Sequence, residues 1–223
     1  MTKTIRENSL YFYLCGVFVL LGGLYLGLSD KTDAIFFFSE NRSPLLDSAF
    51  RFITKLGEGP MYFLFGIGAL AIRLRYTLTI AFTGLSVMAF SHGLKTWFAI
   101  DRPAAYFAKL NLTDQLHFVP GVELHTGATS FPSGHAMSGF ALYSLLAFML
   151  PSAKRYAFPL FLLALLVAIS RIYLVQHFWP DVYVGGIVGT GLAMTWFALL
   201  GPTDKAWLER PLVPVMKGAG RAA

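Results

Sequence analysis

Apolar runs near membrane-spanning length recur along the whole chain and decide what it can fold into. They lie at about Leu10–Leu28, Pro60–Ile72, Tyr76 to the Lys95 region, Gly134–Leu150, Ala157–Val175 and Val182–Leu200. Inside a bilayer every backbone polar group has to be satisfied within the protein, which runs of this length achieve as helices. Only 13% of the residues are charged and the mean hydropathy is +0.59, against roughly 25% charge in a soluble domain. The expected fold is all-α, a polytopic membrane helical bundle with about six transmembrane helices. A chain of 223 residues suffices for one such bundle and not two, so 1–223 is expected to be a single integral-membrane domain.

The first run follows Lys3 and Arg6, exceeds a usual signal-peptide core and has no clear A-x-A site after it, so it reads as an uncleaved signal-anchor. Ser29 to Gly59 carries charges every few residues, yet Ile35–Phe38 and the spacing of Leu45, Leu46, Ala49, Phe50 and Ile53 give it apolar faces. Amphipathic helices at the membrane interface are expected there. The Ala99–Phe131 connection is long enough to suggest a functional loop. Cys15, the single cysteine, lies in the first run and offers neither a disulfide nor a cysteine-based metal site. Gly185 and Gly189, reinforced by Gly186, suit close packing of the last helix on a neighbour.

With six spans, Lys3, Arg6, Arg73, Arg75, Lys154, Arg155, Lys205, Arg210, Lys217 and Arg221 collect on one face against Glu7, Asp204 and Glu209. That excess of cations marks the face as cytoplasmic. The formal charge of +6 is then largely a topology signal with attraction to anionic lipid beside it, and nucleic-acid binding has no support beyond charge.

Three polar clusters fall on the opposite face: Lys95-x6-Arg102-Pro103, Phe131-Pro132-Ser133-Gly134-His135, and Ser170-Arg171-x5-His177-x3-Asp181. Ionisable groups at membrane depth are costly and point to function. The chemistry they suit is phosphoryl transfer, where catalysis rests on positioning and fixed positive charge. Arg102 and Arg171 can each grip two oxygens, and Lys95 adds a compact charge. Ser133 and Gly134 stand where a loop becomes a helix, so a hydroxyl and free N–H groups can join the cradle. His177 can attack phosphorus as a neutral imidazole, with Asp181 orienting its other nitrogen. Pro180 suits a first helical turn and predicts that this pair meets across a helix start. His135 would protonate the leaving oxygen.

These clusters resemble the three signature motifs of the type 2 phosphatidic acid phosphatase superfamily, with every defining position and spacing present between Lys95 and Asp181. The resemblance implies a metal-independent phosphatase, without cofactor, that works through a phosphohistidine. It implies His177 as nucleophile, Asp181 as its partner, His135 as general acid, and Lys95, Arg102, Ser133, Gly134 and Arg171 as phosphate binders. The apolar spans point to the membrane branch, whose substrates resemble phosphatidic acid, phosphatidylglycerol phosphate, polyprenyl diphosphates such as undecaprenyl diphosphate, or lipid A phosphates. Among these a polyprenyl diphosphate is slightly favoured. A departure is Ala104, where many membrane members carry a further basic residue.

The expected function is hydrolysis of a lipid phosphate or diphosphate on the non-cytoplasmic side of a membrane, by size and resemblance a bacterial inner membrane facing the periplasm or exterior. Phosphotransfer through the same intermediate and non-catalytic lipid-phosphate binding or translocation are the alternatives. Partners are the substrate and membrane lipids; oligomeric state is not legible. His117 and His125, near Asp114 and Glu123, read as loop surface rather than metal ligands, and His92, three residues before Lys95, as a satisfied core histidine or else a residue that supports the site. Asp101 either orients Arg102 or faces the aqueous boundary. Trp97, Tyr106, Trp179 and Tyr183 read as interface anchors, with Phe131 and Trp179 flanking the site on a possible lipid path.

Overall fold

The computed structural model describes residues 6–150, 153–201 and 204–213, and all regular structure among them is helical. Six helices are apolar: α1 (Ser9–Leu28), α4 (Gly59–Leu70), α5 (Leu74–Phe98), α7 (Gly134–Met149), α8 (Ala153–Tyr173) and α9 (Trp179–Leu199). Two short amphipathic helices, α2 (Asp33–Glu40) and α3 (Pro44–Ile53), lie between α1 and α4, and α6 (Pro103–Lys109) lies in the long connection. Ser9–Leu28, Leu74–Lys109, Arg155–Tyr173 and Trp179–Leu199 are long and apolar enough to cross a bilayer. The chain is an integral membrane protein.

Two of the apolar helices match their sequence runs to within two residues and are shorter than a full membrane span. α4 has 12 residues and α7 has 16, about 18 and 24 Å at 1.5 Å per residue, against a hydrocarbon thickness of about 30 Å. α7 is the inner helix: Ala136–Leu145 is buried throughout, wrapped by α5, α8 and α9, so little of it has to match the hydrocarbon thickness. Lipid-facing surface is carried by the outer helices, where Leu20, Leu24, Phe63, Ile67, Leu85 and Met88 are all more than half exposed.

The glycine spacing of α9 works as the sequence suggests. A Cβ on Gly185 would meet Ser133 O at 2.7 Å, and one on Gly189 would meet Met137 O at 2.2 Å. Only bare backbone lets α9 lie this close to α7. α1 closes the bundle: Tyr11 Oη and Ser144 Oγ share a hydrogen bond of 2.9 Å, and Phe18 packs on Phe140 at 4.8 Å.

Helix polarity sends the motif residues to one end. At the other end Arg73 and Arg75 both pair with Glu209, at 2.9 and 2.7 Å. Backbone bonds from Leu74 N to Arg210 O and from Leu212 N to Leu70 O hold the C-terminal segment there. Lys3, Lys217 and Arg221, counted in the topology argument, lie outside the described residues.

Candidate active site

The long connection forms the roof of the site through ordinary backbone pairing. Arg102 N donates to Gly127 O and Ser130 N to Ile100 O, each at 2.9 Å. Loop and amphipathic helices are joined as well, since His117 N donates to Ser39 Oγ and Arg51 Nη1 to Pro120 O. This brings Thr129 and Ser130 over the motif residues.

The segment between α8 and α9 is shaped by a β-branched residue in the left-handed region: Val175 has φ of 55°. Such a backbone is costly and persists where surrounding contacts impose it. Here Gln176 N and His177 N both return to Arg171 O, at 2.9 and 3.2 Å, which sets Arg171 and His177 side by side. Arg42 braces the turn from outside through a hydrogen bond of 2.6 Å to Tyr173 O.

His177 Nδ1 lies 3.3 Å from Asp181 Oδ2. The same carboxylate oxygen accepts from Phe178 N at 2.9 Å and from Ser130 Oγ. Asp181 thus caps the start of α9 and faces the imidazole at once, with Pro180 in the first turn where its missing N–H costs nothing. Burial pushes His177 down to about 4; its hydrogen bond to and the charge of Asp181 oppose this, and Arg171 and Arg102 reinforce it. The ring is therefore neutral near pH 7, with Nε2 opposite the nitrogen that Asp181 holds.

The cations surround this pair. Arg171 is 6% and Arg102 8% exposed. Arg171 Nη1 donates to Thr54 Oγ1 at 2.7 Å, while its Nε is buried with no hydrogen-bond partner among the described residues. Arg102 is steered by Thr129 Oγ1 at 3.0 Å and Gln176 O at 3.3 Å. A Cβ placed on Gly134 would stand 2.8 Å from Ser91 Oγ and 3.7 Å from Lys95 Nζ, so the ammonium lies against the first turn of α7. Ser133 caps that helix by accepting from Ala136 N, and its own N–H donates to Asp181 O at 2.9 Å. Three cations and a helix N-terminus facing one carboxylate suit a bound anion.

His135 stands on the cleft side, with Nε2 3.7 Å from Glu58 Oε1. The cleft, about 730 Å³, runs between α4 and α5 with α7 behind it. Glu58, Ser91, His92, Lys95, Gly134 and His135 line its polar end, and Phe63, Ile67, Leu85 and Met88 its apolar length down to Leu70 and Thr77.

Several sequence expectations change. His92 is not a core histidine; it is exposed and lines the cleft, because α5 turns that face toward the gap. Asp101 does not orient Arg102, for it pairs with Lys109 at 2.5 Å. Trp179 is not beside the lipid path: it donates to Gly22 O of α1 at 3.0 Å, next to Tyr183, which donates to Val19 O at 2.9 Å. Phe131 packs edge-on against Phe98 and does not line the cleft. His125 is exposed on the loop, and burial first, then Arg102, Arg171 and Lys95 acting against Glu123, push it below the ordinary imidazole range. Among the described residues no three His, Cys, Asp or Glu side chains form a group that could hold a metal. Thr54, Glu58, Thr129 and Ser130 were not singled out from sequence; only the last two adjoin a motif.

The sequence profile of the PAP2 superfamily matches residues 74–204, more than half of the chain. Phosphatidylglycerophosphatase B of Bacillus subtilis (strain 168) is 29% identical over 162 residues, covering 66% of this chain and 72% of the relative. The crystal structure of Aquifex aeolicus LpxE superposes with a TM-score of 0.63 at 27% identity, covering 74% of this chain and 92% of that one. A PAP2-type phosphatidylglycerolphosphate phosphatase from Bacillus subtilis shares the fold, with a TM-score of 0.59 at 24% identity over 87% of this chain and 96% of that one.

Proposed function

The chain belongs to the PAP2 superfamily, and on that premise we propose that it is a membrane phosphatase that removes phosphate from a lipid phosphate. The observation that carries this reading is the junction of two environments: Lys95, Gly134 and His135 line the polar end of an apolar cleft between lipid-facing helices, and Arg102, Arg171, His177 and Asp181 are buried next to that end. A phosphate and an acyl or prenyl chain are then accommodated by adjoining surfaces. Phosphatidylglycerol phosphate stands first among substrates because a relative 29% identical carries the name phosphatidylglycerophosphatase; undecaprenyl diphosphate, phosphatidic acid and lipid A phosphate follow.

In the proposed mechanism the cations and the first N–H groups of α7 hold the phosphoryl oxygens. His177 Nε2 attacks phosphorus, the N–P bond forms as the P–O bond to the lipid breaks, and Asp181 stabilises the ring. His135 in its protonated form gives its proton to the departing lipid oxygen and is left neutral. It then takes a proton from the water that attacks the phosphohistidine, which returns free phosphate and both histidines to their starting states. No step requires a metal ion. The excess of Arg73, Arg75, Lys205 and Arg210 at the far end favours a site facing the periplasm or exterior of a bacterial inner membrane.

The test is phosphate release by purified wild-type and His177→Ala protein in detergent with EDTA, on those four lipids. Release by wild type alone is the expected result. Release by neither protein, or equal release by both, contradicts the reading; release abolished by EDTA contradicts metal independence.

A further inference from the structure

The turn that precedes α4 lies outside the residues matched by the family profile, yet it is fastened to the site at four points. Thr54 Oγ1 accepts from Arg171 Nη1 at 2.7 Å, and Leu56 O accepts from Tyr143 Oη at 2.9 Å. At Gly57 a Cβ would stand 2.5 Å from a Val167 methyl and 3.1 Å from His135 O, so the backbone of the turn rests directly on α7 and α8. Glu58 comes next, with Oε1 3.7 Å from His135 Nε2.

Glu58 occupies the N-cap of α4 but its side chain makes no cap hydrogen bond. The shorter aspartate, rather than glutamate, is the carboxylate that caps a helix from this position; the Glu58 side chain instead lines the cleft beside the imidazole. The arrangement parallels the other histidine. Asp181 stands at Nδ1 of His177 and leaves Nε2 for phosphorus, whereas Glu58 stands at Nε2 of His135 and leaves Nδ1 for the leaving oxygen. A proton donor that must be an imidazolium among Lys95, Arg102 and Arg171 also benefits from an adjacent anion, since like charges oppose the charged form and a carboxylate favours it.

Resting on the phosphatase reading, we propose that Glu58 is a positioning residue for His135, holding the Nε2 edge of the ring so that the other nitrogen protonates the leaving oxygen. In the step it serves, the P–O bond breaks, the proton passes from His135 to the lipid oxygen, and Glu58 neither gives nor takes a proton.

The test exploits leaving-group chemistry. An alkoxide cannot depart without a proton, whereas p-nitrophenolate needs little help. Glu58→Gln keeps the shape and removes the charge. It is expected to lower kcat/KM on a short-chain phosphatidate by on the order of tenfold, a fraction of the roughly 100- to 10,000-fold that general acid catalysis supplies. On p-nitrophenyl phosphate the loss should stay under about twofold, and Glu58→Asp should recover part of the phosphatidate rate. Equal losses on both substrates, no loss on either, or no recovery by Asp would overturn the proposal. If Glu58→Gln lowers thermal stability in detergent, the Glu58→Asp comparison on the two substrates decides. Failure of the wild type to release phosphate from either substrate would overturn the phosphatase reading and this proposal with it.

Discussion

Gly189→Ala should cost both stability and turnover, although alanine is the better helix former. The new methyl would lie 2.2 Å from Met137 O, where ordinary contact begins at 3.4 Å, so roughly 1.2 Å of relief is needed. Its neighbour is backbone, the carbonyl that α7 uses for its own ladder, and no rotamer change can move it. Overpacking of this kind costs about 1–3 kcal/mol, and the helix-propensity gain of Ala over Gly, about 1 kcal/mol, offsets part. The net loss is then up to about 2 kcal/mol, a fall of up to several degrees in Tm.

The functional cost follows from register. Asp181, Gly185 and Gly189 share one face of α9, and Asp181 O is bonded to Ser133 N at the α7 start. Separating the helices displaces the Asp181–His177 pair, and a misplacement of about 1 Å can cost on the order of 100-fold in rate. Gly191→Ala is the comparator, because a Cβ there meets nothing within 4 Å. Tryptophan fluorescence melts in detergent and phosphate release on the same samples make the measurement. A Gly189→Ala protein as stable and active as Gly191→Ala would refute the packing argument.

Other outcomes follow from the site. Asp181→Asn keeps the side-chain shape but removes the charge facing His177, so kcat/KM should fall on the order of 100-fold or more with the fold retained; a loss under about tenfold would detach Asp181 from the chemistry. The His177 ring, held down to about 4, should remain neutral as pH falls through 6.5 and gain its proton only near pH 4. A histidine NMR resonance absent from His177→Ala should report that midpoint, and titration near 6.5 would contradict the burial argument.

What the sequence disclosed and what it concealed divide along contact range. Lys95, Arg102, His135, Arg171, His177 and Asp181 stand in short motifs, so their spacing was readable before any fold was known. The α9 glycines were readable for the same reason. Glu58 and Thr54 carry no local signal: they reach the site only because Gly57 allows a turn to rest on two helices far along the chain. The cleft was hidden too, since it arises from the separation of α4 and α5. That separation also exposes His92, whereas Trp179 is placed by its bond to Gly22 O of α1. The length of α7 was legible from its apolar run, whereas its burial on all sides by α5, α8 and α9 is something hydropathy alone does not report.

The central claim is that phosphate leaves the lipid onto His177. The direct measurement is rapid acid-free quenching of the enzyme after mixing with phosphatidylglycerol phosphate radiolabelled in its terminal phosphate, followed by peptide mapping. An acid-labile, base-stable label on the peptide containing His177, absent from His177→Ala, is the expected result. Phosphate release with no protein-bound label at any time, or label on another residue, would contradict it.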